Sequence, residues 1–216
     1  MTVLEVVNQI LKRLREDEVT ALTDSTQAQL LAEFVRDSVI ILQDMHNWSM
    51  LKQTLTVTTA ASDYDYVITG AGKKFKIVNV WNQEEEMFLR ERNTHNLQLL
   101  LNLSNPTTEF PSSYGFDVHD SAGDPTVLLY PIPDGVYNID FNLIVPQSRD
   151  DLTESTEIKI PSSPVIYLAW SMAISERGED AGAMSSKVEQ QAFHMAADAI
   201  AQDFERTGLS KDFYPE

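Results

Sequence analysis

VLLYPIPDGVYNIDFNLIV, residues 127–145, decides how this chain folds. The stretch is mostly apolar or aromatic, yet it carries Pro131, Pro133, Asp134 and Asp140, with Asn138 and Asn142 between them. A membrane-spanning helix needs about 20 uninterrupted apolar residues, and residues 131–135 break this one in the middle. Its periodicity instead divides it into three parts. Residues 127–130 read as a strand, 131–135 as a turn, and 136–145 as a return strand. In the return strand Tyr137, Ile139, Phe141, Leu143 and Val145 share one face, and Asn138, Asp140 and Asn142 share the other. That alternation predicts a half-buried antiparallel hairpin, with core on one side and water or a polar partner on the other.

The period of two extends through the middle of the chain. Residues 51–60 alternate, with Leu55 and Val57 on one face. Residues 74–81 alternate again, Phe75, Ile77 and Trp81 one way and Val78 and Val80 the other. MFLRER, 87–92, is a further short strand, THNLQLLLNL, 94–103, one or two helical turns, and 114–120 leads into another strand.

The ends change to a helical period. Thr2 and Glu5 form a capping box, after which Val3, Val7, Ile10 and Leu14 fall on one side. A longer helix over 25–48 carries Leu31, Val35, Ile41, Leu42, Met45 and Trp48. Ser163 and Pro164 open a third, with Val165, Leu168, Ala169, Met172 and Ala173 in a stripe and a stop near Gly178. Ser186 and Glu189 open the last, lined by Val188, Ala192, Met195, Ala199 and Ile200 and ending at Gly208. The expected fold is α+β: a four-helix base from the N- and C-terminal segments, 1–50 and 161–208, with an inserted antiparallel β domain, 51–160. Residues 209–216 form a C-terminal tail.

The totals narrow the function. There are 33 acidic residues against 16 basic, a net charge of −17. Such a chain does not hold nucleic acid by neutralising phosphates. Cysteine is absent, which removes disulfides, thiolate metal sites and a cysteine nucleophile. No targeting segment is visible, since the N-terminal apolar residues are interrupted by charges at helical spacing.

Motifs for chemistry are missing or fail on spacing. GAGKK, 70–74, has one residue between its glycines where a phosphate loop needs four, and Lys74 stands where Ser or Thr belongs. It reads as a turn. Asp117, His119, Asp120 and Asp124 are close in sequence, but their spacing is not that of a calcium loop; a polar hairpin turn is the simpler reading, with a metal site as the alternative. His46, His95, His119 and His194 form no H-x-x-x-H pair, and His46 and His194 read as packed on helix stripes. Trp48, Trp81 and Trp170 read as core. No cofactor is expected and the chain is not read as an enzyme. In the tail, Phe213 and Tyr214 lie beyond the last helix, either as a disordered end or as an aromatic anchor for a partner.

Four stretches, in this order, carry a resemblance: MHNWSMLKQTLTVTT; SDYDYVIT followed by FKIVNVW; FPSSYGFDVHDSAGDPTVLLYPIPDGVYNIDFNLIV; and IKIPSSPVIYLAWSMAISERGED before a last helix. Together they resemble the head-to-tail adaptor, or connector, proteins of short-tailed bacteriophages, the group of tail tubular protein A. The resemblance implies a structural virion protein of the neck, assembled in the host cytoplasm. It implies a homo-oligomeric ring of twelve subunits below the capsid portal, with the tail nozzle on the other side, tail fibres held in some phages, and DNA passing through the channel without specific binding. No membrane is involved. It also implies that the C-terminal segment engages the portal, which selects Leu209, Phe213 and Tyr214 as portal-binding residues. The acidic balance fits a channel wall that does not grip DNA, over the roughly 8 Å that such repulsion reaches. The rivals are another tail component, such as a nozzle or head-completion protein, a carbohydrate-binding or adhesion β module, and a hydrolase using residues 117–124.

Overall fold

The computed structural model describes residues 1–121, 123–178 and 182–207. They divide into two compact units, one of Met1–Leu51 with the described residues from Pro146 onward and one of Lys52–Val145. The fold is mixed α+β.

The first unit is helical. Helix α1, Val3–Arg13, begins at Thr2, whose hydroxyl accepts from the Glu5 amide while the Glu5 carboxylate accepts from the Thr2 amide. That closes the expected capping box. Helix α2, Thr26–Asp44, starts at Ser25, whose side chain accepts from the Ala28 amide. It buries Leu31, Val35, Val39 and Leu42. Ile41 and Met45, expected on the same side, are exposed. At 3.6 residues per turn, Ile41 lies roughly 120° round from Val35, off the stripe that Val39 completes.

The middle of the chain contributes the next elements: strands β1 (Lys52–Thr58), β2 (Asp65–Val67), β3 (Lys76–Asn82), β4 (Met87–Phe88) and β5 (Arg90–Glu91), then helix α3 (Thr94–Leu101), then β6 (Ser113–His119), β7 (Pro125–Tyr130) and β8 (Asn138–Ile144). Helix α4, Ser162–Arg177, and helix α5, Ala183–Thr207, return to the helical unit. Helix α4 ends at Gly178 in the left-handed conformation, φ 66°, which glycine adopts without steric cost. It packs against α5, α2 and α1.

Residues 146–160, expected in the β insert, belong to the helical unit. Polar side chains tie them there. Gln43 donates to the Gln147 carbonyl at 2.9 Å and accepts from the Gln147 amide at 3.0 Å. Arg36 donates to the Leu152 carbonyl, and the Arg149 guanidinium binds Glu33 and Asp37 on α2. Leu152, Ile158 and Ile160 are buried.

The second unit is built on two four-stranded sheets, ordered β1-β8-β3-β4 and β2-β7-β6-β5. The first is antiparallel; the second is mixed, because β5 runs parallel to β6. One core joins them: Val57, Val80, Ile139, Phe141 and Leu143 come from the first sheet and Tyr114, Val127 and Leu129 from the second. The hairpin expected over 127–145 does not form. Strand β7 lies between β2 and β6, and β8 lies between β1 and β3, so neither has an edge left for the other. The intervening residues carry the chain from one sheet to the other, with a cis peptide between Tyr130 and Pro131. The expected faces of β8 are nonetheless right. Ile139, Phe141 and Leu143 are buried, and Asn138, Asp140 and Asn142 turn away from the core.

Strand β3 departs from simple alternation. A register shift between Ile77 and Asn79 inserts one extra residue. Val78 is left 48% exposed, while Ile77 and Val80 both reach the core. A bulge of this kind puts residues three apart on one face, which a period of two misassigns.

Candidate functional site

Between β6 and β7, Asp120, Gly123 and Asp124 are joined by hydrogen bonds of their own: the Asp120 amide donates to the Asp124 carbonyl at 2.8 Å and the Gly123 amide to the Asp120 carbonyl at 3.1 Å. The Asp124 carboxylate accepts from the Gly70 amide at 3.0 Å and the Gly72 amide at 2.8 Å. The Asp124 amide donates to the Asp120 carboxylate at 2.8 Å. His119 Nδ1 lies 3.1 Å from the Gly123 carbonyl. GAGKK is therefore a turn whose two glycines have positive φ, +89° and +66°, and present their amides to one carboxylate. Among the described residues, no three His, Asp or Glu side chains come together in a way that could hold a metal ion. Asp124→Ala removes both acceptors from this junction. It is expected to lower stability by about 1–2 kcal/mol in chemical denaturation while leaving any oligomer unchanged. Asp117 is exposed on β6, and Asp117→Ala is expected to be silent.

The histidines are scattered. His194 is exposed on α5 rather than packed, and His95 is exposed on α3. His46 is held just after α2: Nε2 lies 3.1 Å from the Asp203 carboxylate, and its ring stands edge-on to Trp48 and tilted against Phe204. Asp203, on α5, also accepts from the Ser49 amide at 2.9 Å and from the Ser49 hydroxyl. Burial pushes the Asp203 carboxyl up, but the Ser49 hydroxyl and amide, with His46, outweigh it and hold the group below the usual carboxylate range. Serine, histidine and aspartate meet here, yet Asp203 binds both of the others directly, so His46 is not placed between them as a base. The cluster pins α5 to the segment after α2.

What remains distinctive is surface. Helix α5 buries Ser185, Val188, Ala192, Ala196 and Asp203 on one side. A second stripe, Phe193, Ala197, Ile200 and Phe204, follows helical spacing about a quarter-turn away, with Phe193 37% and Phe204 49% exposed. In the same unit, Leu14, Leu30, Leu31, Phe34 and Ala173 line a groove of about 280 Å³ beside Arg177. The other unit presents a polar sheet face. Thr54, Thr56 and Thr58 donate to Asn142, Asp140 and Asn138 at 2.5, 2.6 and 2.9 Å. Asn142 continues to Asn79, and Gln83 donates to Asp140. Trp81 and Phe88 stack edge-on beside this ladder, their centroids 4.8 Å apart and Phe88 59% exposed. Trp48 is buried as expected, whereas Trp81 and Trp170 are half-buried. Leu209, Phe213 and Tyr214 lie outside the described residues.

Over residues 1–211 the chain matches the family described as SU10 adaptor protein. The chain belongs to that family. It is a structural adaptor of the bacteriophage head-to-tail kind. No curated protein matches this adaptor. Among solved structures it is similar to a chain described as the neck of an empty GTA particle computed with C6 symmetry. Identity is 14% and the TM-score 0.26, over 78% of this adaptor and 76% of that chain. No helix among the adaptor's described residues is long and apolar enough to cross a membrane. The α5 stripe and the outward turn of Trp81 escaped sequence reasoning for different reasons. Phe193 and Phe204 sit next to the buried stripe in the helical wheel and read as its margin. Trp81 alternates with core residues and reads as core until the bulge at Val78 is known.

Proposed function

We propose that this adaptor assembles as a ring between the capsid portal and the tail nozzle of a short-tailed phage, in the manner of tail tubular protein A, and encloses the DNA channel. Twelve copies, a neck location in the virion and assembly in the host cytoplasm are parts of this reading. So is a structural rather than enzymatic role. The observation that carries it is the contrast of surfaces on one chain: an exposed apolar helix stripe on one unit and a polar, hydroxyl- and amide-rich sheet face on the other. Two chemically different surfaces suit two different neighbours. Repeating one contact between unlike patches closes a ring without any reactive group. The net charge of −17 disfavours a grip on passing DNA.

The tail supplies the portal anchor in this reading, through Leu209, Phe213 and Tyr214. Truncation after Gly208 tests it. Purified portal should retain the full chain, and truncation should reduce retention at least about tenfold, the loss of one aromatic anchor. Retention that survives truncation unchanged refutes the anchor and leaves the ring standing.

A second reading has one observation behind it. Trp81 and Phe88 beside the Asn–Asp–Thr ladder are a stacking platform such as a glycan-binding β module would use. The ladder groups are engaged with one another, which leaves few donors for a sugar. Glycan binding that is lost in Trp81→Ala would favour this alternative.

A further inference from the structure

The apolar stripe of α5 runs to the end of the helix. Phe193, Ala197, Ile200 and Phe204 follow one another at helical spacing, with Phe193 and Phe204 exposed. Helix α5 ends at Thr207, and Gly208 follows it directly. Gly178 follows α4 in the same way: it takes φ 66° and donates its amide to the carbonyl of Ile174, four residues back. A left-handed glycine at this position turns the chain back, and the residue after it commonly packs on an apolar residue of the last turn. After Gly208 that residue is Leu209, and its counterpart in the last turn, placed as Ile174 is to Gly178, is Phe204. Residues 208–216, GLSKDFYPE, lie outside the described residues.

We propose that residues 208–216 fold back along α5 of their own chain, antiparallel to it, and cover this stripe in the free adaptor. Length and pattern select this occupant. An extended segment advances roughly 3.3 Å per residue against about 1.5 Å for a helix, so four residues of tail pass about nine of α5. With Leu209 on Phe204, Lys211 stands level with Ile200, and Phe213 between Phe193 and Ala197. Alternate residues of an extended segment share a face, so Leu209, Lys211 and Phe213 turn to the stripe together. The two apolar side chains meet apolar residues of α5, and the Lys211 stem lies along Ile200 with its ammonium in water. Tyr214 turns outward. The tail is also tethered. Its effective concentration at the stripe is on the order of millimolar, so it occupies a surface too weak to hold a separate molecule. A second copy has no such advantage and adds the repulsion between two chains of net charge −17.

With the tail as portal anchor, the reading on which this step rests, Leu209 and Phe213 serve α5 or the portal but not both. Portal then displaces the tail and uncovers the stripe. Docking itself is measured without portal, so its failure is distinct from failure of the anchor.

The sequence has no cysteine, so Glu216→Cys gives the full chain a single site for a nitroxide. Paramagnetic broadening of the α5 amides then reads where the tail tip lies. Seven extended residues from Leu209 reach back about fifteen along the helix, so amide signals of residues 189–193 should be lost while those of 203–207 persist. A tail that leaves the helix broadens 203–207 most. Ala197 is exposed on α5, and Ala197→Asp puts a charge in the stripe without touching the buried side. That variant should stay folded by circular dichroism, and its signals at 189–193 should return. Spin-labelled chains mixed with isotope-labelled chains that carry no nitroxide should give no broadening. Signals retained at 189–193 in the labelled chain, their loss unchanged by Ala197→Asp, or broadening between different chains would each overturn the proposal.

Discussion

Phe141→Ala lowers the stability of the protein by about 3–5 kcal/mol. Phe141 is fully buried at the middle of β8, with Leu55 opposite it on β1 and Val80 opposite it on β3. Its ring meets Tyr114 from the other sheet edge-on, with centroids 6.0 Å apart. It is one of the side chains through which the two sheets share a core. Truncation removes the apolar area and leaves a cavity that neighbours from both sheets line, and they relax only partly. Asp140→Ala, one residue away on the opposite face, loses the hydroxyl of Thr56 and the amide of Gln83 and should cost only about 1 kcal/mol. Urea denaturation of the two variants measures the contrast. Equal losses would contradict the assignment of faces on β8.

Asp203→Ala is expected to cost about 2–3 kcal/mol. Its carboxylate is buried and takes hydrogen bonds from the Ser49 amide and hydroxyl, and His46 lies within reach of it. Alanine leaves the part-buried Ser49 amide and hydroxyl without this acceptor. The pH dependence has a definite sign. The folded-state carboxyl is held below its ordinary value, so the unfolded chain binds its proton first as pH falls. The stabilisation is complete above the ordinary carboxylate pKa, near 4, and is lost as pH falls through the lower folded value. Asp203→Asn should therefore be less stable than wild type at neutral pH, and the difference should narrow in acid. A constant difference across that range would show that the carboxylate charge is not what holds α5 here.

Much of the fold is legible because its signals are local. The Thr2–Glu5 capping box and the Gly178 stop each depend on residues within one helical turn, and both appear in the structure. The faces of β8 are legible because side-chain direction follows the period of two. Strand partnership is not local. The periodicity of residues 127–145 says which side chains are buried, but β7 and β8 bury theirs from opposite sheets rather than side by side. The bulge at Val78 and the attachment of residues 146–160 through Gln43 and Arg149 rest on contacts across more than a hundred residues or on a register shift, and neither leaves a periodic trace. The candidate site is less legible than the fold for the same reason. The polar ladder joins Thr54, Thr56 and Thr58 to residues eighty or more positions away. Asp124 reads from the sequence as part of a polar turn, with a metal site as the alternative, but its role as the acceptor for two glycine amides some fifty residues earlier leaves no sequence signal.

We propose that the adaptor closes into a ring only when it meets the portal. Native mass spectrometry of the purified chain, alone and mixed with purified portal, addresses that claim most directly. The prediction is a monomeric or weakly associated chain alone and, with portal present, a complex carrying one full ring of adaptor subunits. A stable ring without portal, or a mixture in which the two proteins remain separate, would contradict it.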